Sequence, residues 1–375
     1  MQLEYQRLDS LSEEHGASYY ILSPNEICRA FKTIRNIFSH YTEEVIIAYA
    51  LKANYISGVC DEIRKLGAWA EVCNQIEFEK AIKAGIPNNQ IIYNGPGKTG
   101  KSIERPLFDG SIVNVDSVEE LEDIISMAES NPQCEINVGI RCFLQTDRGI
   151  GSRFGICIDQ NLINELKHIL SKNKNITIKC LHCHIKGRKA HDWHQKIVEM
   201  VNNYSMFCLN GIDVKYIDFG GGLPVDDIKE MEHIAKDMVN AIENKCNESI
   251  ALPGVILEPG AEMVASSMCL VSKVVRTKKT KSGCYAVIHA SRFHVDPMKR
   301  RKDISCTVVS KNECVMNDGE SIIVGDTCLE DDIFVEIKRN LHRGDYLIFH
   351  NLGAYVLNLI PQFGYEKFEV VLNSE

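Results

Sequence analysis

Val45-Ile46-Ile47-Ala48-Tyr49-Ala50 is an unbroken apolar run that ends at Leu51-Lys52. A run this short and this apolar reads as a strand buried on both faces, as in a parallel sheet. Further segments of the same kind follow: Ala68 to Val72, Gln90 to Asn94, Ser111 to Asp116, Glu135 to Arg141, Ile176 to Ile185, Val214 to Phe219 and Val255 to Glu258. Most gaps carry a helical pattern. Val59, Ile63 and Leu66 close at Gly67, and Ser117 with Glu120 forms a capping box ahead of Leu121, Ile124 and Ile125. Upstream, Ser23, Pro24 and Glu26 open a helix whose stripe is Ile27, Phe31, Ile34 and Phe38. Eight buried strands alternating with helices predict an α/β fold, a (β/α)8 TIM barrel, with a doubly wound open sheet as the alternative.

The rhythm changes after Gly260. Leu270 to Val275, Cys284 to His289, Cys306 to Val309, Ser321 to Val324, Phe334 to Ile337, Tyr346 to His350 and Phe368 to Leu372 are short strand-like runs separated by turns. They predict a second, mostly β domain. The barrel is expected over 20–262 and the β domain over 1–19 plus 263–375, with the segment ahead of Ser23 joining the latter. No Pro/Gly/Ser linker separates the two.

Composition excludes several function classes. Lys plus Arg number 42 against 51 Asp plus Glu, a net charge of −9, which argues against nucleic-acid binding by bulk charge. No apolar stretch is long enough to span a membrane, and Met1-Gln2-Leu3-Glu4-Tyr5 has no signal-peptide character. The expectation is a cytoplasmic protein with neither a membrane nor a nucleic-acid partner. Its 15 cysteines then read as reduced thiols, mostly small core residues.

In such a barrel, chemistry gathers at the carboxyl ends of the strands. Here those ends carry Lys52, Asn94-Gly95-Pro96-Gly97-Lys98, Arg141, His184, Gly220-Gly221-Gly222 and Glu258-Pro259-Gly260. Any one of these has a bland reading: a solvated lysine, a flexible glycine turn, a core carboxylate paired with arginine, a hydrogen-bonded core histidine. The set points to a phosphate-bearing aldehyde cofactor. Consecutive glycines let backbone N–H groups approach a phosphate. A strand-end lysine of lowered pKa can form a Schiff base. A carboxylate can keep a pyridine nitrogen protonated. Cys180 and Cys183 have zinc-ligand spacing, but strand alternation turns them to opposite faces, so no metal site is expected. In the β domain, exposed Cys328 would be a proton donor or nucleophile, and Tyr355 a phosphate contact. Their bland readings are a buried thiol and a packed ring.

Read together and in order, these motifs resemble the ornithine/diaminopimelate decarboxylase family of pyridoxal-phosphate enzymes, which share the alanine-racemase-like fold. The matching segments are Tyr49-Ala50-Leu51-Lys52-Ala53-Asn54, Ala70-Glu71-Val72, Asn94 to Lys98, Asn114 to Ser117, Ser152-Arg153-Phe154-Gly155, His182-Cys183-His184, Asp218 to Gly222, Glu258-Pro259-Gly260, Cys328 and Gly353-Ala354-Tyr355. The resemblance implies pyridoxal 5′-phosphate on Lys52, Glu258 at the ring nitrogen and His184 stacked on the ring. It implies Gly220, Gly221, Gly222 and Tyr355 at the phosphate, with Glu71 and Arg141 along the floor. It implies that Cys328 returns a proton to the α-carbon of an amino-acid substrate. It also implies a homodimer with shared active sites, in which Arg153 and Asp332 pair across the interface.

This chain departs from the family pattern in four places. Ala261 stands where the family has arginine, and His184-Ile185-Lys186-Gly187 lacks the family's serine, with Lys186 or Arg188 as the expected replacement charge. Leu329 stands where an acidic residue reads a distal amine, and Ala290 to His294 departs from the substrate loop. The expectation is therefore a modified amino acid from polyamine, siderophore or antibiotic synthesis. A racemase would place arginine at the ring nitrogen, and a non-catalytic regulator would be expected to have lost Lys52 or Cys328.

Overall fold

The computed structural model describes residues 4–145, 152–185, 187, 189–224, 227–246, 250–301, 303–311, 319–361 and 363–373. The chain divides into two units, Cys28–Glu262 and the combination of Met1–Ile27 with Met263–Glu375. It opens with α1 (Tyr5–His15), β1 (Ser18–Leu22) and α2 (Pro24–Ser39), whose predicted stripe Ile27, Phe31, Ile34 and Phe38 is buried.

The barrel unit holds β2 (Val45–Ala50), β3 (Trp69–Val72), β4 (Ile91–Tyr93), β5 (Ile112–Val115), β6 (Ile136–Arg141), β7 (Ile176–His182), β8 (Tyr216–Asp218) and β9 (Gly254–Leu257). They close on themselves in sequence order, every neighbour parallel, which settles the barrel against the open sheet. Between them run α3 (Ser57–Lys65), α4 (Gln75–Lys83), α5 (Lys101–Phe108), α6 (Val118–Ser130), α7 (Gln160–Lys172), α8 (Ala190–Leu209) and α9 (Ile228–Lys245). The short α10 (Ala261–Val264) follows β9. Ala48, Ile92, Ile112, Cys180, Tyr216 and Ile256 pack together as a buried cluster. At the start of α6, Ser117 Oγ accepts the Glu120 N–H at 3.2 Å, while the Glu120 side chain bonds the Asp116 N–H and Lys98. The N-cap forms, but the reciprocal half of the capping box does not, since Glu120 reaches the Asp116 N–H one residue earlier and a buried lysine.

In the other unit a mixed sheet runs in the order β12 (Cys306–Val309), β15 (Tyr346–Phe349), β10 (Met268–Thr280), β11 (Gly283–Ile288), β13 (Ser321–Val324), β14 (Ile333–Ile337). β1 pairs with β10 and with β16 (Val370–Leu372). All five residues of β1 pair with β10, so the expected boundary at residue 20 runs through a strand of this sheet. β10 changes register between Val274 and Arg276, and this shift lets one long strand serve two sets of partners. Leu8, Tyr19, Ile21, Cys269, Val271, Tyr346 and Ile348 form its core.

Candidate active site

Barrel closure brings the chemistry to one mouth. β9 pairs with β2 through Val45↔Val255, Ile46↔Ile256 and Ile47↔Leu257, and the Ala50 N–H donates to the Pro259 carbonyl at 3.0 Å. Lys52 follows β2 and Glu258 follows β9, so both stand at the carboxyl end of the barrel. Lys52 Nζ donates to the buried Glu71 carboxylate and lies 3.6 Å from Cys73 Sγ.

The sequence suggests a lysine of lowered pKa, and here the structure corrects the expectation. Burial does push Lys52 down, but Glu71, Cys73 and Glu258 outweigh it and hold the amine well above the ordinary lysine range. Without cofactor, Lys52 is an ammonium paired with the Glu71 carboxylate.

Two asparagines organise the floor. Asn94, just after β4, donates from Nδ2 to Glu71 Oε1 at 3.0 Å and to Glu258 Oε1 at 2.8 Å. Asn114 on β5 donates to Asn94 Oδ1 at 2.7 Å, and Cys180 Sγ donates to Asn114 Oδ1 at 3.2 Å. This chain fixes the orientation of the Asn94 amide, so that both its protons meet carboxylates. Both asparagines fall in the segments singled out from the sequence, but neither is given a role there. The available signal was a polar amide at each of two strand ends in otherwise apolar runs.

Glu258 also faces His182 Nε2 at 3.4 Å, a contact too poorly aligned for a hydrogen bond. Burial would raise the Glu258 pKa, but His182, when its ring is protonated, and the Lys52 ammonium hold it well below the usual carboxylate range. Burial lowers the pKa of His182 itself, so near pH 7 that ring is neutral. The Lys52 charge and the Asn94 N–H then keep Glu258 ionised. Asp218 is pushed far up by burial and by the neighbouring Glu258 charge, and it stands as a neutral acid whose Oδ1 accepts the Gly220 N–H at 2.9 Å. His182, Asp218 and Glu258 form the one group of metal-ligating spacing among the described residues. Cys180 and Cys183 are both free, and Cys180 is spent on Asn114.

The glycine loop follows β8. Gly220 and Gly222 have φ of +63° and +91°. A Cβ at Gly220, Gly221 or Gly222 would fall 2.5, 2.6 or 2.5 Å from the carbonyl of Cys183, Glu258 or Gly187. Only glycine lets the backbone lie this close. His184 Nδ1 accepts the Gly221 N–H at 3.4 Å; the side chain is exposed at the barrel mouth, yet desolvation by the surrounding protein and the Lys52 and Lys196 charges lower its pKa. Arg141 is held by Asp116 at 3.0 Å, with its guanidinium 4.3 Å from the Phe154 ring centroid. Lys186 and Arg188 lie outside the described residues.

Cys328 and Tyr355 belong to the other unit. Cys328 is a free, exposed thiol in the turn after β13, flanked by the half-buried Leu329. Tyr355 adopts φ +56°, an uncommon conformation for a tyrosine. Asp332 is buried and accepts bonds from Ser291 Oγ at 3.1 Å, the Arg292 N–H at 2.7 Å and Thr327 Oγ1. All three donors lie within its own unit.

Residues 25–265 match the family model described as pyridoxal-dependent decarboxylase, pyridoxal binding domain. Diaminopimelate decarboxylase of Aquifex aeolicus is 27% identical over 377 residues, covering 93% of this chain and 84% of the relative. That of Methanocaldococcus jannaschii is 26% identical, covering 94% and 85%. Among solved structures, the M. jannaschii enzyme superposes with a TM-score of 0.84 at 23% identity, over 98% of this chain and 89% of that one. A lysine/ornithine decarboxylase from Vibrio vulnificus, complexed with putrescine, gives 0.79 at 19% identity over 99% of both. These two structural likenesses bear on the fold.

A closed barrel with a strand-end lysine, a buried ionised carboxylate and a glycine cradle, joined to a β-rich unit, defines a fold-type III pyridoxal-phosphate enzyme. This chain belongs to the pyridoxal-dependent decarboxylase family and is a pyridoxal-phosphate-dependent amino-acid carboxy-lyase. The residues fit the cofactor. The glycine cradle leaves room for nothing but backbone beside an anion, and Glu258 is an anion placed for a protonated ring nitrogen.

Two buried histidines give a pH signature. Burial lowers the pKa of His182, and it pushes that of His294 down to about 4. His294 Nδ1 accepts the Ser291 N–H at 3.1 Å and its ring stacks on Phe368 at 4.3 Å. In the unfolded chain both titrate near ~6.5. Their contribution is therefore complete above that pH and is lost as pH falls toward 4, because the unfolded state takes up protons that the folded state refuses. Urea midpoints of cofactor-free protein should drop between pH 7 and 5, and His294→Gln should show a shallower drop. Parallel profiles would contradict the assignment.

Proposed function

We propose that this carboxy-lyase acts on an α-amino acid whose distal end is not a free primary amine, a modified amino acid of the kind made in polyamine, siderophore or antibiotic synthesis. Leu329 carries this reading: directly after Cys328, an aliphatic side chain gives a distal ammonium neither charge nor hydrogen bond. Curated relatives are diaminopimelate decarboxylases, so diaminopimelate is the reference substrate against which the departure is measured.

When bound, pyridoxal phosphate supplies the electron sink for loss of the α-carboxylate as carbon dioxide. Lys52 is proposed to hold the cofactor, and Glu71 to pair with Lys52 and lie along the cofactor floor. Glu258 is proposed to keep the ring nitrogen protonated and His184 to cover one ring face. Gly220, Gly221 and Gly222 are proposed to receive the phosphate, Tyr355 to contact it, and Arg141 to line the floor. Cys328 is proposed to return a proton to the α-carbon from a second copy of this chain in a homodimer with shared sites. Glu258 speaks against a racemase, which needs a cation at that nitrogen.

The test is carbon dioxide release from diaminopimelate, ornithine, lysine, arginine, carboxynorspermidine and carboxylated siderophore intermediates. The expected result is fastest release from a compound without a free distal amine. Fastest release from diaminopimelate, ornithine, lysine or carboxynorspermidine, each of which carries a free distal primary amine, would overturn the substrate assignment.

A further inference from the structure

Lys196 is the buried cation that the reaction so far leaves unused. It sits on α8 at 2% exposure, yet it forms no salt bridge among the described residues. Nζ donates instead to two carbonyls of the glycine loop, Phe219 at 2.7 Å and Gly221 at 3.3 Å, and lies 3.3 Å from the Trp193 ring centroid. Trp193 Nε1, one turn earlier, donates to the Gly222 carbonyl at 2.8 Å. A buried charge with no carboxylate in contact is costly.

The backbone shows which way that anion lies. In a planar trans peptide the carbonyl of one residue and the N–H of the next point in opposite directions. By drawing the carbonyls of Phe219, Gly221 and Gly222 toward α8, Lys196 and Trp193 turn the N–H groups of Gly220, Gly222 and Leu223 the other way. The Gly220 N–H is taken by Asp218. Those of Gly222 and Leu223 have no acceptor among the described residues. The result is an anion nest of backbone donors with a cation directly behind it.

We propose that Lys196 is the positioning residue of the cofactor's phosphate site, aligning the Gly220–Leu223 backbone and supplying the positive charge that balances the phosphate. This rests on the assignment of the glycine loop to the phosphate. It also accounts for Ala261, since the charge absent from that position stands beneath the loop instead.

Burial pushes the Lys196 pKa down to about 8, against the opposing influence of Cys183, Asp218, Glu258 and Glu262, the groups that face it from the ends of β7, β8 and β9 and from α10. His184 adds its ring from the β7 side. Lys196 is charged below that value and loses its proton above it. A phosphate held nearby raises the value further, so the Lys196 contribution to phosphate binding is complete near neutrality and disappears in alkali.

The experiment compares pyridoxal phosphate with pyridoxal, which lacks the phosphate, by absorbance titration of cofactor-stripped full-length protein. In Lys196→Met the affinity for pyridoxal phosphate should fall about tenfold or more, while that for pyridoxal stays within about twofold. Lys196→Arg should restore most of the difference. In the unaltered protein the ratio of the two affinities should fall as pH rises from about 7 to about 9.5, where the phosphate is a dianion throughout. In Lys196→Met the ratio should be flat. Equal loss for both compounds, or an unaltered protein whose ratio ignores pH, would overturn the proposal, and the latter needs no variant to fold. Gly222→Ala separates the two levels. If it collapses the ratio and Lys196→Met does not, the loop assignment stands and Lys196 fails. If it too leaves the ratio intact, the loop assignment itself fails.

Discussion

Lys52→Arg should lower carbon dioxide release by about ten-thousandfold or more, the loss expected when the group that carries a reaction covalently is removed. The substitution is chosen because it preserves what the rest of the site needs from this position. Glu71 is fully buried and pairs with Lys52, so an uncharged replacement would leave a carboxylate stranded at the barrel mouth. Arginine keeps the charge and the pair, but its guanidinium does not give up a proton near neutral pH and cannot bond to an aldehyde carbon. The melting temperature of the cofactor-free protein should therefore change little, while the cofactor should wash away on gel filtration. Retention of more than about one part in a hundred of the activity would remove Lys52 from the reaction. Glu71→Gln gives the complementary result. It removes a carboxylate that holds the Lys52 proton in place, so the Lys52 pKa should fall and cofactor loading should shift to lower pH.

The barrel was legible because burial on both faces writes a plain message. Val45–Ala50 is apolar at every position, and the strand has the bounds read from it. β7 shows the limit of that rule. The run Ile176 to Ile185 continues apolar residues past His182, where the strand ends with its last ladder bond, from the Cys183 N–H to the Asp218 carbonyl. Strand-end positions of Lys52, His184 and Glu258 were legible for the same reason. Their protonation states were not, since these depend on which strands become neighbours. Lys52 is raised by a glutamate 19 residues away, and Asn94 bridges to Glu258 across 164 residues. Lys196 left a readable trace. It lies on the stripe of Trp193, Ile197, Met200, Val201 and Tyr204, where a lysine is out of place. The trace says only that the amine is buried. That it points at the glycine loop follows from α8 packing beside β8.

The Lys52 result concerns holding the cofactor; the second large effect concerns driving the reaction. Glu258→Gln should reduce the turnover of fully loaded enzyme by about a hundredfold to a thousandfold, as removal of a charge aimed at the reacting system does. The amide is nearly isosteric, and its oxygen can still accept the Asn94 N–H that now reaches Oε1 at 2.8 Å. It cannot hold a proton on a ring nitrogen, so the electron sink weakens. The neighbourhood should tolerate the change, because Asp218 beside it is held neutral partly by the Glu258 charge. Without that charge the Asp218 pKa should fall, although burial still opposes its ionisation. Two observables separate this from simple damage. Cofactor affinity should fall far less than turnover, because Lys52, the glycine loop and Lys196 are untouched. The visible spectrum of the bound cofactor should also change its dependence on pH, since the ring nitrogen now titrates without an anion beside it. A variant that loses affinity and turnover in the same proportion would show Glu258 to be a binding group and no more.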